Sequence, residues 1–244
     1  ALSSAASDVY KRQPDQLRSD VIEKAKDADV VIFIGGLNHA LGQDSEGGDR
    51  KTLQLPYGQD DLISSIADVN PNLVVINISG TPVLMPWADK VAAIVQGWYL
   101  GSEAGNSFAD VLTGKVNPSG KLPFTLPKRI EDLPVHGERC YPGIKRADSD
   151  IYDIYYDEGI LIGYRWYDYN DLPVLFPFGY GLSYTTFEYS DLELSSSNIK
   201  DTDDLTVTFK SKNTGDVDGA EIAEIYVADQ ESTIFLSLIH ISEP

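Results

Sequence analysis

Hydrophobic and polar positions follow two regimes along the chain, and the period changes near Phe187. In the first regime Leu17, Val21, Ala25 and Ala28 recur at helical spacing with charges between them. They predict an amphipathic helix from about Pro14 to Asp27. Val30-Val-Ile-Phe-Ile34 then runs without a polar break to Gly35-Gly36, the pattern of a strand buried on both faces, as in parallel sheets. The cycle repeats. Leu62, Ile63, Ile66 and Val69 make a helical face, Leu73–Ile78 a second buried strand, and Ala92–Val95 a third. A helix carrying Ala104, Phe108, Val111 and Leu112 follows Trp98. Helices alternating with buried strands over short connections predict an α/β fold with layered helices around a mostly parallel sheet, a three-layer α/β sandwich.

From Pro118 to Asp150 periodicity fades into Pro, Gly and charge, which reads as extended surface loop. Tyr152–Tyr169 is dense in aromatics, with Ile160, Gly163, Tyr164 and Tyr167 at helical spacing. Beyond Phe187 the period becomes two: Leu205, Val207 and Phe209 alternate with Thr206, Thr208 and Lys210. Asn213-Thr-Gly-Asp216 signals a turn and Ile222–Val227 another strand, so the region reads as the beginning of a β-sandwich, cut short.

Composition narrows the function classes. Among 244 residues, 38 Asp and Glu oppose 19 Lys and Arg for a net charge of −19, which disfavours nucleic acid and anionic membrane as partners. A hydrophobic fraction of 42% suffices for a packed core. Cys140 is the one cysteine, so neither an intrachain disulfide nor a cysteine-based zinc site is expected. No apolar run nears the roughly 20 residues of a spanning helix. The chain opens on Ala1 and its one methionine is Met85. The expectation is a processed product or a piece of something longer.

Ligands of open parallel sheets sit at loops leaving the carboxyl ends of the strands. The first such loop, Gly35 to about Leu53, holds Asp44-Ser-Glu-Gly-Gly-Asp-Arg50. Asp49 has a cation beside it in Arg50, whereas Glu46 has none. A carboxyl without a cation, closed over by a partner domain, can take a raised pKa and act as a general acid. On the residues alone a solvated acidic loop is the simpler reading. Gly35-Gly36 lacks the residues that would complete a phosphate loop, so nucleotide binding is not expected. Asn77-Ile-Ser79 matches a glycosylation triplet but falls within a predicted buried strand.

Five segments stand in one order: Gln43-Asp-Ser-Glu-Gly-Gly-Asp-Arg50, Asn117-Pro-Ser-Gly-Lys-Leu-Pro123, Tyr141-Pro-Gly143, Glu158-Gly-Ile-Leu-Ile-Gly-Tyr-Arg165 and Phe176-Pro-Phe-Gly-Tyr-Gly-Leu-Ser-Tyr-Thr-Thr-Phe187. Together they resemble the C-terminal α/β sandwich of glycoside hydrolase family 3, in its β-glucosidase branch. Asn213-Thr-Gly-Asp-Val-Asp-Gly-Ala220 with Ile225-Tyr-Val227 resembles the fibronectin type III-like domain that follows in such enzymes. The resemblance implies residues 14–186 as the α/β sandwich and 187–233 as a truncated fibronectin-like domain. Asp8-Val-Tyr-Lys-Arg-Gln13 and the tail from Ile234 look like translated adapter sequence, so 1–13 and 234–244 are expected to be non-native ends.

The resemblance implies retaining hydrolysis of terminal non-reducing β-glucosides, without cofactor or metal, in a periplasmic or secreted protein. It puts the catalytic acid/base on Glu46. The nucleophile would be an aspartate preceding tryptophan in a Ser-Asp-Trp motif of an N-terminal barrel. Ser-Asp pairs end here at Asp8, Asp20, Asp150 and Asp191, none before a tryptophan. The chain would thus carry one half of a two-carboxylate site and would be inactive alone. Asp49 and Arg50 would shape the loop or touch substrate, and His39 and Trp98 are further candidates for substrate contact. Glu158 and Trp166 suit structural positions. Two alternatives stand beside this reading: a non-catalytic carbohydrate-binding or scaffolding module of the same fold, and a β-xylosidase of the same family.

Overall fold

The computed structural model describes residues 14–48, 50–200, 202–227 and 239–241. The expected non-native ends, 1–13 and 234–244, therefore lie outside the described residues, apart from the short stretch 239–241. Two compact units divide the chain. Of the described residues, the first holds those up to Ala104 with Leu126–Asp157 and Pro173–Leu175; the second holds Gly105–Thr125, Glu158–Leu172 and those from Phe176 onward.

The first unit carries the expected α/β architecture. Helix α1 (Pro14–Lys26) leads into strand β1 (Val31–Gly36), helix α2 (Gln59–Ala67), β2 (Leu73–Ile78) and β3 (Ala93–Gln96). The three strands form one parallel sheet in the order β1-β2-β3, with Val31 beside Leu73, Gly36 beside Ile78, Val74 beside Ala93 and Asn77 beside Gln96. Only the middle strand is buried on both faces. Val30, Ile32 and Ile34 are exposed, as is Ala93. The apolar run of β1 thus belongs to an edge strand with one open face, because hydrophobic runs report strand propensity without reporting position in the sheet.

The core forms where α2 lies on the sheet. Ile63 and Ile66 of α2 are fully buried with Leu73, Val75 and Ile76 of β2 and with Val83 and Trp87 from the loop after β2. Trp87 Nε1 donates to Asp60 Oδ1 at 2.8 Å, and the Leu55 N–H donates to Asp60 Oδ2 at 3.0 Å, so the indole has a polar partner within the core. Burial raises the Asp60 pKa against the opposing pull of these bonds. Trp87→Ala would remove the largest fully buried side chain and orphan the Asp60 carboxyl. A loss of about 3–5 kcal/mol in unfolding free energy is expected, read from urea denaturation. Asn70 fastens the end of α1 to this core: its Nδ2 donates to the carbonyls of Ala25, in the last turn of α1, at 2.8 Å and of Ala28, just beyond it, at 2.7 Å.

Short elements complete the first unit: β4 (Leu126–Pro127) pairs with β7 (Val174–Phe176), and β5 (Ile144–Lys145) pairs antiparallel with β6 (Tyr152–Asp153). The stretch read as surface loop therefore departs from expectation at Thr125, Leu126 and Asp132, all buried. Its Pro and Gly content breaks periodicity without forcing exposure.

In the second unit α3 (Ala104–Leu112) buries Phe108, and α4 (Tyr164–Tyr169) buries Tyr167. Of the four residues at helical spacing in the aromatic stretch, Tyr164 and Tyr167 lie in α4, and Ile160 and Gly163 precede it. Gly163 at φ +57° breaks the helical run, and Ile160 and Ile162 lie exposed before it. Glu158 stands in a turn and is buried. Strands β8 (Phe187–Leu194) and β9 (Val207–Asn213) pair antiparallel with a register shift between Ser190 and Glu193, and β10 (Ile225–Val227) pairs antiparallel with β11 (Ile239–Ile241). Leu192, Leu194, Val207 and Phe209 line a cavity of about 910 Å³ in this unit.

No helix among the described residues is long and apolar enough to cross a membrane. The described residues hold no group of three or more His, Cys, Asp or Glu side chains that could grip a metal ion.

Candidate active site

The loops leaving the carboxyl ends of β1, β2 and β3 converge, as open parallel sheets bring them to. Each loop is started by a defined contact. At the end of β1, Gly36 takes φ +137°, and a Cβ there would sit 2.0 Å from the Ile78 carbonyl oxygen. The glycine is required because the chain crosses the end of β2 at that point. Gln59, the first residue of α2, then holds Gly36 from both sides: its Oε1 accepts from the Gly36 N–H at 2.8 Å and its Nε2 donates to the Gly36 carbonyl at 2.9 Å.

At the ends of β2 and β3 a polar knot does the same. Asn77 Nδ2 donates to Ser79 Oγ at 2.9 Å and to Gln96 Oε1 at 2.8 Å, while Gln96 Nε2 donates to the Ser79 carbonyl at 2.9 Å. Asn77 is thereby buried and its amide bonded, which closes the glycosylation triplet to modification in the folded chain. After β3, Trp98 adopts φ +47°, an uncommon conformation for a large side chain. It is half-buried, and the next residue, Tyr99, reaches the loop after β1.

That loop is folded on itself. The Gln43 N–H donates to the Ala40 carbonyl and the Asp44 N–H to the Asn38 carbonyl, each at 3.0 Å, and Asn38 Oδ1 accepts from the Ala40 N–H at 2.7 Å. His39 Nδ1 lies 2.9 Å from the Asp44 carbonyl, and its ring meets Tyr99 at 4.8 Å between centroids. Asp44 faces the other two loops. Its Oδ2 accepts from the Gly80 N–H at 2.7 Å and the Tyr99 hydroxyl at 2.8 Å, and its Oδ1 accepts from the Thr81 hydroxyl. Arg50 approaches the same place from the far side, its Nη2 donating to Thr81 Oγ1 at 3.0 Å and to the Pro82 carbonyl at 2.5 Å. Between Asp44 and Arg50 the chain turns outward. Glu46 is exposed there, followed by Gly47 at φ +82°.

The electrostatics match these contacts. Burial pushes the Asp44 pKa upward, but bonds from Thr81, Gly80 and Tyr99 and the nearby Arg50 charge outweigh it, so the carboxyl stays below its ordinary value of 3.8. Tyr99 is pushed up to about 12 by burial and by its bond to the Asp44 anion. Because the folded Asp44 pKa is depressed, its stabilising contribution is present above 3.8 and is lost as pH falls through the lower folded value. Protection of the Gly80 amide against hydrogen exchange is therefore expected to persist down to about pH 4 and to fall only below it. Loss of that protection between pH 5 and 6, with the β2 amides still protected, would show that Asp44 is not the group holding Gly80.

Of the residues singled out in the sequence, His39, Glu46 and Arg50 come together in this loop, and Trp98 stands in the neighbouring one. Asp49 lies outside the described residues, and so does its expected pairing with Arg50. Sequence reasoning missed Asp44 as an anchor and missed Tyr99, Gly80 and Thr81 altogether. The one usable signal was position: all three follow within a few residues of a strand's carboxyl end.

Comparison with known proteins bears on the whole chain. Residues 2–184 match the Glycosyl hydrolase family 3 C-terminal domain. The chain is 50% identical over 222 residues to a β-glucosidase of Bacteroides ovatus, covering 90% of this chain and 29% of that protein. It is 44% identical over 217 residues to a probable β-glucosidase I of Aspergillus clavatus, covering 87% and 25%. Among solved structures, the family 3 β-glucosidase of Bifidobacterium adolescentis superposes with a TM-score of 0.81 at 37% identity, over 96% of this chain and 33% of that one. The β-glucosidase of Kluyveromyces marxianus in complex with glucose superposes at 0.80 and 34% identity, over 95% and 27%. The chain thus spans about a third or less of each of these relatives.

Proposed function

The chain belongs to glycoside hydrolase family 3, whose C-terminal domain it matches, and from that premise we propose that it supplies the general acid/base of a retaining β-glucosidase. The nucleophile would come from an N-terminal barrel of the same polypeptide, and the substrate would be a terminal non-reducing β-D-glucoside. Glu46 is the acid/base in this reading. One observation carries it: Glu46 stands exposed on a loop fastened at its base to the loops leaving β2 and β3. An exposed carboxyl on such a support is open to a second domain, and closure by that domain would supply the desolvation a general acid needs.

In the same reading residues 14–186 form the α/β sandwich. Residues 187–233 begin a fibronectin type III-like domain, a reading supported by the antiparallel pair of β8 and β9 and the apolar cavity beside it. Arg50 and His39 act on the loop's shape, since Arg50 bonds Thr81 and Pro82 and His39 bonds the Asp44 carbonyl. The test is Glu46→Ala in the complete enzyme, this chain behind its barrel. Cleavage of the glycosidic bond should slow for substrates with poor leaving groups and not for those with good ones, whose turnover stalls only at the second step, whereas Glu158→Gln should slow both alike.

A further inference from the structure

Asp44 stands two residues before Glu46, and both of its oxygens are taken. The Gly80 N–H and Tyr99 hydroxyl converge on one, and the Thr81 hydroxyl binds the other. Those three donors come from loops after two different strands, β2 and β3. Thr81 also accepts from Arg50, so a single hydroxyl joins the residues that enter and leave the Glu46 turn. Within the segment between them, Glu46 and Gly47 are exposed, and Gly47 takes a left-handed conformation. Three donors fill most of a carboxylate's acceptor sites and favour its ionised form. Asp44 has the geometry of a tether.

We propose that Asp44 is the positioning residue for Glu46, fixing the direction from which the acid/base approaches the glycosidic oxygen by pinning the base of its loop to Gly80, Thr81 and Tyr99. The inference rests on the reading of Glu46 as acid/base and goes beyond it. Asp44 touches neither substrate nor the transferred proton. With the tether cut, the loop remains attached through Arg50 and through its own hydrogen bonds at Asn38 and Ala40, so its tip would swing without the domain unfolding. Tyr99→Phe removes one of the three bonds, and Asp44→Asn keeps an acceptor for the Gly80 N–H. Both should be milder than Asp44→Ala.

The experiment has two arms. In the 244-residue chain, backbone ¹⁵N order parameters at Ser45, Glu46 and Gly47 should fall below about 0.6 in Asp44→Ala, while those of β2 stay near 0.85. In the complete enzyme, kcat/KM for dinitrophenyl β-glucoside divided by kcat/KM for methyl β-glucoside, which reports bond cleavage and not the shared second step, should rise about 10- to 100-fold in Asp44→Ala, since a displaced acid fails the poor leaving group first. The ratio cancels any loss of folded enzyme. It should rise less in Asp44→Asn and Tyr99→Phe. Glu46→Ala is run beside them. If Glu46→Ala raises the ratio and Asp44→Ala slows both substrates equally, Asp44 is merely structural and the proposal is overturned. Unchanged order parameters in Asp44→Ala overturn it as well. If Glu46→Ala itself leaves the ratio unchanged, the acid/base reading fails, and the positioning role fails with it.

Discussion

Glu46→Ala in the complete enzyme is expected to slow hydrolysis of a β-linked glucose disaccharide by about 10²- to 10⁴-fold, the usual contribution of a positioned general acid. The reason lies in the leaving group. A sugar alkoxide departs poorly unless a proton reaches the glycosidic oxygen as the bond breaks. A dinitrophenolate is stable enough to leave unaided, so the glycosyl-enzyme should form from the aryl substrate at nearly the parent rate. Turnover would then halt at the second step, where the same residue must deprotonate water. Pre-steady-state kinetics should show a burst of phenolate equal to the enzyme present, followed by a slow phase. The burst separates loss of an acid/base from loss of fold, because misfolded protein gives no burst. Glu158→Gln should give no such pattern. Glu158 is buried in a turn of the other unit, and its removal is expected to act on stability.

The second large effect is complete. The 244-residue chain alone is expected to show no turnover of an aryl β-glucoside. Retaining hydrolysis uses two carboxyl groups roughly 5–5.5 Å apart, on opposite sides of the bond that breaks. In the described residues the Glu46 loop offers one exposed carboxylate. Asp44, the nearest other in sequence, is occupied by three donors. Measured turnover by the purified chain, abolished in Glu46→Ala, would mean that this domain holds both groups and that the split site is wrong.

The sheet was legible where burial and periodicity agree. Leu73–Ile78 is β2 residue for residue, and Ile63 and Ile66 are the buried face of α2. Legibility failed at β1, whose apolar run matches that of β2 although its Ile32 and Ile34 are exposed. A strand's place in the sheet depends on pairing partners far away in sequence, which a local pattern does not contain. The helical spacing of Ile160, Gly163, Tyr164 and Tyr167 held only from Tyr164 onward, for a local reason: Gly163 takes a conformation outside the helix, and Ile160 before it is exposed. At the site, the motif around Glu46 could be read because its residues are contiguous. Its anchor could not, because Gly80, Thr81 and Tyr99 lie 36 to 55 residues away from Asp44 and carry no mark of their own. Three strand ends brought side by side by parallel pairing make that contact, and only the folded sheet shows it.

The most direct test of Glu46 is the product formed when azide is added to the Glu46→Ala complete enzyme with dinitrophenyl β-glucoside. Azide is a nucleophile that needs no base, so it should attack the stalled glycosyl-enzyme, restore turnover and release β-glucosyl azide, identified by the proton coupling at its anomeric carbon. Glu46→Ala enzyme that gives a burst but neither faster turnover nor the β-azide, or rescue seen with Glu158→Gln in its place, would contradict the assignment.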